Sequence, residues 1–348
     1  MTDLESFIKK FGGYSDSYWF YDHTVEVVYD KVNHVYLLVD GSNLIEQPSV
    51  TTIVKKALDK SEILIPWGCK RMGEKLMSLV PSFPFTLDSE EELEKLILIS
   101  KRAHRETLEE AGTVGTAAHN WIEQHILEEL HGTIGGVRPP EDSRAYNACI
   151  AAVAWMERHN VRWVTTERKI YSRIHKYAGT LDGLAYTDSC LDKNCCPLEY
   201  KDHLSLVDWK TSNNLYLDYV FQVAAYWGAF REEMEQTPDD AWIIRLGKDD
   251  AEFDPWHIPD TQELEAYYYG FLNARRWFSS VESAKEIVMG KKEELREARK
   301  AERAVAKLEK AKKACAYAKN YKAIRKPKCG CESCISRWND LHPLDKVS

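Results

Sequence analysis

The sequence predicts an α/β fold, with a mixed central sheet flanked by helices and a charged helical extension at the C-terminal end. Three observations predict it. Apolar residues recur at helical spacing between Ser49 and His159, strand-like stretches dominate from Trp163 to Trp209, and the helical period returns from Tyr219. The order helix, strand, strand, strand, helix is that of a sheet covered by helices. From Lys285 to Lys326 the chain is a Lys, Glu, Arg and Ala tract with few large apolar residues, which makes a solvated helix rather than a core element.

Each element follows from local pattern. Thr24 to Asp40 alternates apolar and polar residues around a polar break and reads as a strand pair. Ser49 opens the amphipathic segment SVTTIVKKAL, a helical stretch follows, and the prolines of LSLVPSFPFT interrupt it. Glu90 to Leu130 reads as helix in two pieces, broken near Ala111 to Gly115. The second piece places His119 and Glu123 on one face. GTIGGVRPP is a loop by composition, and Ser143 to His159 is a helix ending near Asn160. Trp163 to Ile174, Leu181 to Thr187, Leu204 to Trp209 and Ala241 to Leu246 read as strands. Tyr219 to Glu233 and the aromatic-rich Gln262 to Ala284 read as helices.

Composition narrows the class. With 44% hydrophobic and 11% aromatic residues in 348, the chain can bury a real core. No apolar run approaches the roughly 20 residues of a spanning helix. The opening MTDLESFIKKFGG lacks a basic region followed by an apolar stretch, so a cytoplasmic location and no membrane partner are expected. The net charge of -8 makes no general case for nucleic-acid binding, but Lys285 to Lys328 carries about +10. Any contact with nucleic acid must therefore come from local basic surface, and that tract is either a solvated face or a nucleic-acid arm.

The chemistry sits in AGTLDGLAYTDSC, LSLVDWKTS and YVFQVAAYWGAF. Along a strand, Asp208 and Lys210 project to one side while Trp209 points to the other. Asp182 on the preceding strand brings a second carboxylate to the same face if the two strands pair. Two carboxylates and a backbone carbonyl, that of Trp209, form a hard oxygen site suited to Mg²⁺ or Mn²⁺. A metal there supports phosphodiester hydrolysis by stabilising charge and acidifying water. Lys210 either orients or helps deprotonate the water, or stabilises the transition state as a cation. Gln222 and Tyr226, four residues apart on the following helix, turn their polar ends the same way.

At these residues the sequence resembles the RecB-like branch of the PD-(D/E)XK nucleases, which includes the mitochondrial genome maintenance exonuclease and phage exonucleases. The matching motifs are GTAAH ending at His119, TERKIYS containing Glu167, GTLDG containing Asp182, VDWKTS, and QVAAY from Gln222 to Tyr226. PSVTTIVKKALDK resembles the opening of phage members, so the likeness spans about 48 to 230. The resemblance implies a restriction-endonuclease-like core. It also implies His119 as an additional metal ligand, Asp182 and Asp208 as ligands, Lys210 as the catalytic lysine, and Gln222 with Tyr226 as the motif after it. Glu167 either binds a second metal or forms a salt bridge.

The expected organisation is an N-terminal strand pair and helical region over 1–110, the nuclease core over 111–283, and a basic helical extension with a cysteine cluster over 284–348. The implied activity is metal-dependent DNA cleavage, as an exonuclease on single-stranded or end-containing DNA. The natural setting is phage-type recombination, replication or DNA processing, with proteins of those processes as partners. The competing reading is a non-catalytic nucleic-acid-binding or assembly protein that retains the fold. The intact Asp, Asp, Lys set argues against it, because a binding module gains nothing from two carboxylates beside a phosphate.

Of the 9 cysteines, two groups stand out. Cys190, Cys195 and Cys196 lie between the two site strands with His203 just beyond, and Cys329, Cys331 and Cys334 lie near the end. Three thiolates with a fourth ligand suit Zn²⁺, and four suit an iron-sulfur cluster. Some members of the resembled family hold such a cluster with one cysteine before the core and three after it, a plan that Cys69 and the terminal trio follow in order but not in spacing. Free thiols are the third option. Cys149 and Cys315 fall at helix packing positions, as do Trp121, Trp155, Trp227 and Trp277.

Overall fold

The computed structural model describes residues 15–79, 90–132, 136–192, 195–196, 199–234, 236–318 and 332–341. The chain divides into two compact units, Met1–Phe278 and Ser279–Ser348. The first is a mixed α/β unit with two sheets.

Its N-terminal sheet is an antiparallel meander of β1 (Ser15–Phe20), β2 (Val25–Asp30), β3 (Val35–Asp40) and β4 (Asn43–Gln47). The expected strand pair is thus the centre of a four-stranded sheet. Its flanking strands, SDSYWF and NLIEQ, carry too many polar residues to show alternation. Phe20, Val27 and Tyr36 pack on Tyr171 and Ala178 of the larger sheet, and the Tyr36 hydroxyl shares a 2.7 Å hydrogen bond with Thr180 Oγ1.

Helices α1 (Val50–Ala57), α2 (Ser61–Leu79), α3 (Glu90–Ser100), α4 (Ala103–His131) and α5 (Ser143–Arg158) follow. Ser49 caps α1, its hydroxyl accepting the Thr52 amide at 3.1 Å. Asp142 caps α5 through the Arg144 amide at 2.9 Å. Gly132, with φ 67°, ends α4 in the left-handed conformation that glycine adopts without steric cost. The helix break is at Lys101 and Arg102, not near Ala111 to Gly115 as expected. Glycine and threonine lower helix propensity there, but Val114, Gly115 and Ala118 are buried, and packing holds the helix through them.

The larger sheet has the order β5-β6-β7-β8-β9: β5 (Arg162–Ser172), β6 (Tyr177–Thr187), β7 (His203–Lys210), β8 (Asp240–Leu246) and β9 (Phe253–Ile258). All neighbours are antiparallel except β7 and β8, which run parallel around α6 (Leu217–Met234). Strand β9 was not legible because FDPWHI carries Pro255, tolerated only at a sheet edge. β7 is buried through Leu204 to Trp209, as a central strand covered on both faces must be. On one face Leu204 and Leu206 pack with α1 and α6; on the other Val207 and Trp209 meet Ile122, Trp155 and Trp242.

The aromatic-rich segment and the charged tract form one helix, α7 (Thr261–Ala318). Its residues 283–310 are exposed, as the composition demands. Of the four tryptophans expected in the core, Trp155 and Trp227 are fully buried and Trp121 partly so, but Trp277 is exposed, because Ala274 and Phe278 take the core side of that turn. Cys149 is buried on α5. The side chain of Cys315 lies outside the described residues, as do Cys329 and Cys331; Cys334 lies on the short helix α8 (Glu332–Leu341) of the second unit. No helix of the described residues is long and apolar enough to cross a membrane.

Candidate active site

The register of β6 against β7 pairs Gly183 with Val207, so the next step along each strand brings Asp182 beside Asp208. Two glycines permit the approach of neighbouring elements. A Cβ on Gly183 would lie 2.5 Å from the Trp163 ring, and one on Gly115 of α4 would lie 2.7 Å from Thr211 Oγ1, immediately after Lys210. Side-chain size at these positions therefore sets how closely α4 and β5 close over the strand ends.

Asp182, Asp208 and Lys210 converge. Lys210 Nζ forms an ion pair with Asp208 Oδ2 and lies 4.9 Å from the centre of the Tyr219 ring. The Trp209 amide donates to Asp182 Oδ2 at 2.9 Å, while its indole turns away to Trp155 in an edge contact at 5.4 Å. Burial pushes the Asp208 carboxyl up to about 6, with Lys210 opposing and Asp182 adding to the rise. Burial also raises Asp182, against Lys210 and the Trp209 amide. Burial pulls the Lys210 ammonium down, but the two aspartates outweigh it, so the group stays charged.

His119, Glu167 and Asp182 form a second tier. Their ligand atoms lie within 4.8 Å of one another, with His119 Nδ1 3.8 Å from Asp182 Oδ2. Burial, and then Lys210, depress His119 to about 4, against Asp208 and a hydrogen bond to the Trp209 backbone. The imidazole is therefore neutral near pH 7 and able to ligate. Glu167 adopts φ 49°, a left-handed backbone costly outside glycine. Burial and then Asp182 raise its carboxyl to about 7, with Lys169 opposing. Lys169 Nζ lies 3.7 Å from Glu167 Oε2 and 5.0 Å from the centre of the Tyr29 ring, so the N-terminal sheet borders the site.

Gln222 and Tyr226 meet on α6, where the Gln222 amide donates to the Tyr226 hydroxyl at 2.8 Å. Burial first, then the charges of Asp208 and Asp182, hold that phenol well above its ordinary range. Lys169 and Tyr219 were not singled out in the sequence. The alternation of Arg168 to Tyr171 and the turn after Lys210 carry no signal that either faces the site.

The donors suit a divalent cation. Asp208 Oδ1 is buried without a hydrogen-bond partner among the described residues, and burial holds three carboxyls above their usual range despite Lys169 and Lys210 nearby. A hard cation relieves both conditions.

The cysteines divide differently from expectation. His203 is not beside Cys190, Cys195 and Cys196: its Nδ1 lies 3.3 Å from Asp240 Oδ2 and its ring stacks on Tyr200. The group's fourth member is His159, at the C-terminal cap of α5. Sequence position hides it, because it precedes the cysteines by a whole strand pair. Cys69 is exposed on α2.

No family model and no curated protein matches the chain. Among solved structures it is similar to LHK-Exo, crystallised in complex with dAMP, at 15% sequence identity and a TM-score of 0.29 over 51% of this chain and 85% of that one.

Proposed function

We propose that the chain is a metal-dependent DNA nuclease with a PD-(D/E)XK core, acting as an exonuclease on single-stranded or end-containing DNA. The observation that carries the reading is the convergence of Asp182, Asp208 and Lys210 from adjacent strands, with a buried Asp208 oxygen that has no hydrogen-bond partner among the described residues. A binding module has no use for buried carboxylates facing a polyanion. The motifs around them resemble the RecB-like nucleases, which is the ground for DNA as substrate, for exonucleolytic action and for a phage-type recombination, replication or processing role.

Asp182 and Asp208, with His119, the Trp209 carbonyl and Glu167, would hold Mg²⁺ or Mn²⁺. When bound, the cation supplies charge to offset that developing on the scissile phosphate and acidifies water. Lys210, beside the two aspartates, would serve as a cation next to the reacting phosphate and would orient the attacking water. Asp208 fixes the Lys210 ammonium, and the Tyr219 ring lies against it. Gln222 holds the Tyr226 hydroxyl, which as a phenol donates to a carboxylate or a phosphate oxygen. In the second unit, Lys292, Arg296, Arg299, Lys300 and Arg303 are exposed along one stretch of α7, a basic surface for nucleic-acid phosphates.

The test is degradation of end-labelled linear and circular single-stranded DNA with Mg²⁺, Mn²⁺ or EDTA. Metal-dependent loss of the linear strand with survival of the circle is expected. Binding without cleavage under any metal would leave the fold as a non-catalytic module.

A further inference from the structure

Residues 188–202 join β6 to β7, the strands that carry Asp182 and Asp208. This connection is largely polar, with Leu191 fully exposed, so it has little apolar surface with which to fasten itself. Its cysteines fold back on α5 instead.

The ligand atoms of His159, Cys190, Cys195 and Cys196 lie within 4.8 Å of one another. Cys190 Sγ is 3.5 Å from Cys196 Sγ, Cys195 Sγ is 3.6 Å from His159 Nε2, and Cys196 Sγ is 3.9 Å from His159 Nδ1. A tetrahedral zinc ion with Zn–S of about 2.3 Å and Zn–N of about 2.0 Å spaces its ligand atoms about 3.5–3.8 Å apart. The cluster is thus already near the size that one ion sets.

The surroundings orient the donors. His159 Nδ1 lies 3.2 Å from the Asp188 carbonyl, to which its N–H donates, leaving the Nε2 lone pair toward Cys195. Metal-bound histidines are fixed in this way by their second nitrogen. The Asp188 amide in turn donates to the His159 carbonyl at 2.8 Å, and the imidazole packs against Trp155 and Trp242. The Asp192 carbonyl accepts the amides of Cys195 at 3.1 Å and Cys196 at 2.8 Å. The Cys190 amide donates to Cys196 Sγ at 3.2 Å.

We propose that His159, Cys190, Cys195 and Cys196 form a structural Zn²⁺ site that staples the β6–β7 connection to the C-terminal end of α5. Three thiolates and one imidazole in a largely buried cluster would select zinc over hard cations and, as four ligands, leave no position open for chemistry. The ion's role is to fix the ends of the two strands, so the site stands whether or not the chain cleaves DNA.

The experiment is metal analysis of the full chain, purified under reducing conditions, alongside a variant with Cys329→Ser, Cys331→Ser and Cys334→Ser. One zinc per chain is expected in that variant, falling at least tenfold when His159→Ala or Cys190→Ser is added. Replacement by Co²⁺ is expected to give the ligand-field bands of a tetrahedral ion together with thiolate-to-cobalt charge transfer, which a carboxylate site cannot produce. If His159→Ala does not fold, His159→Cys preserves four ligands and is expected to keep the zinc with stronger charge transfer. The proposal is overturned by a chain without zinc, or by zinc that vanishes with the terminal cysteines. It is equally overturned by cluster-bound iron at these residues, by a Cys190–Cys196 disulfide in the native protein, or by a folded His159→Cys chain that binds no zinc.

Discussion

The Trp209 amide donates a 2.9 Å hydrogen bond to Asp182 Oδ2. The strand that presents Asp208 and Lys210 therefore also orients the carboxylate of its neighbour, through the backbone of the residue whose side chain faces the opposite way. A shift of one residue in the β6–β7 register would put Asp182 and Asp208 on opposite faces of the sheet. The site consequently depends on the pairing as much as on the three side chains.

On the proposed reading, Asp208→Asn and Lys210→Met are each expected to lower metal-dependent DNA degradation by about 100-fold or more, since the first weakens the hold on the cation and the second removes a positive charge beside the phosphate. Single-turnover rates measure the loss, and circular dichroism checks that the fold persists. A variant that keeps more than a tenth of the rate would remove that residue from the reaction.

Tyr226→Phe deletes the hydroxyl that accepts from Gln222 and leaves the ring in the core. The expected result is a stability change below about 1.5 kcal/mol with a clear fall in cleavage rate. Equal activity in the two proteins would assign Tyr226 to packing alone.

Glu167 has a folded value raised to about 7 from an ordinary 4.5. A carboxyl raised on folding contributes stability that is full below its ordinary value and is lost as pH climbs through the folded one. In EDTA, Glu167→Gln should therefore gain stability relative to the parent between pH 5 and pH 8. The gain, discounted for partial exposure, is about 1–2 kcal/mol, and added Mn²⁺ should reverse the order at pH 8. Parallel urea midpoints for the two proteins across that range would count against a buried, cation-seeking Glu167.

Gly183→Ala would bring a methyl group within 2.5 Å of the Trp163 ring. That ring is itself held against Trp209, so β5 or β6 must shift. A loss of about 1–3 kcal/mol is expected, together with reduced cleavage because Asp182 is adjacent. Equilibrium unfolding in urea with an unchanged midpoint would show that the two strands have room to spare.

Within the sequence, Asp208 and Lys210 were visible as a pair because strand alternation is a local property: two residues apart on one strand means one face, whatever lies around it. Helix spacing did the same for Gln222 with Tyr226, whereas Asp182 depended on its strand pairing with that of Asp208 and Lys210. The Lys and Glu tract had to be solvated because it carries too few apolar groups to bury. What local pattern could not supply was pairing across long separations. Only the folded sheet brings Glu167 and His119 to Asp182, sets Lys169 and Tyr219 at the rim, and places His159 rather than His203 beside the three cysteines. Those neighbours are chosen by register and by helix packing, which sum weak interactions over the whole core. The same collective packing carries α4 unbroken through Gly112 and Gly115, where local propensity alone would have ended it.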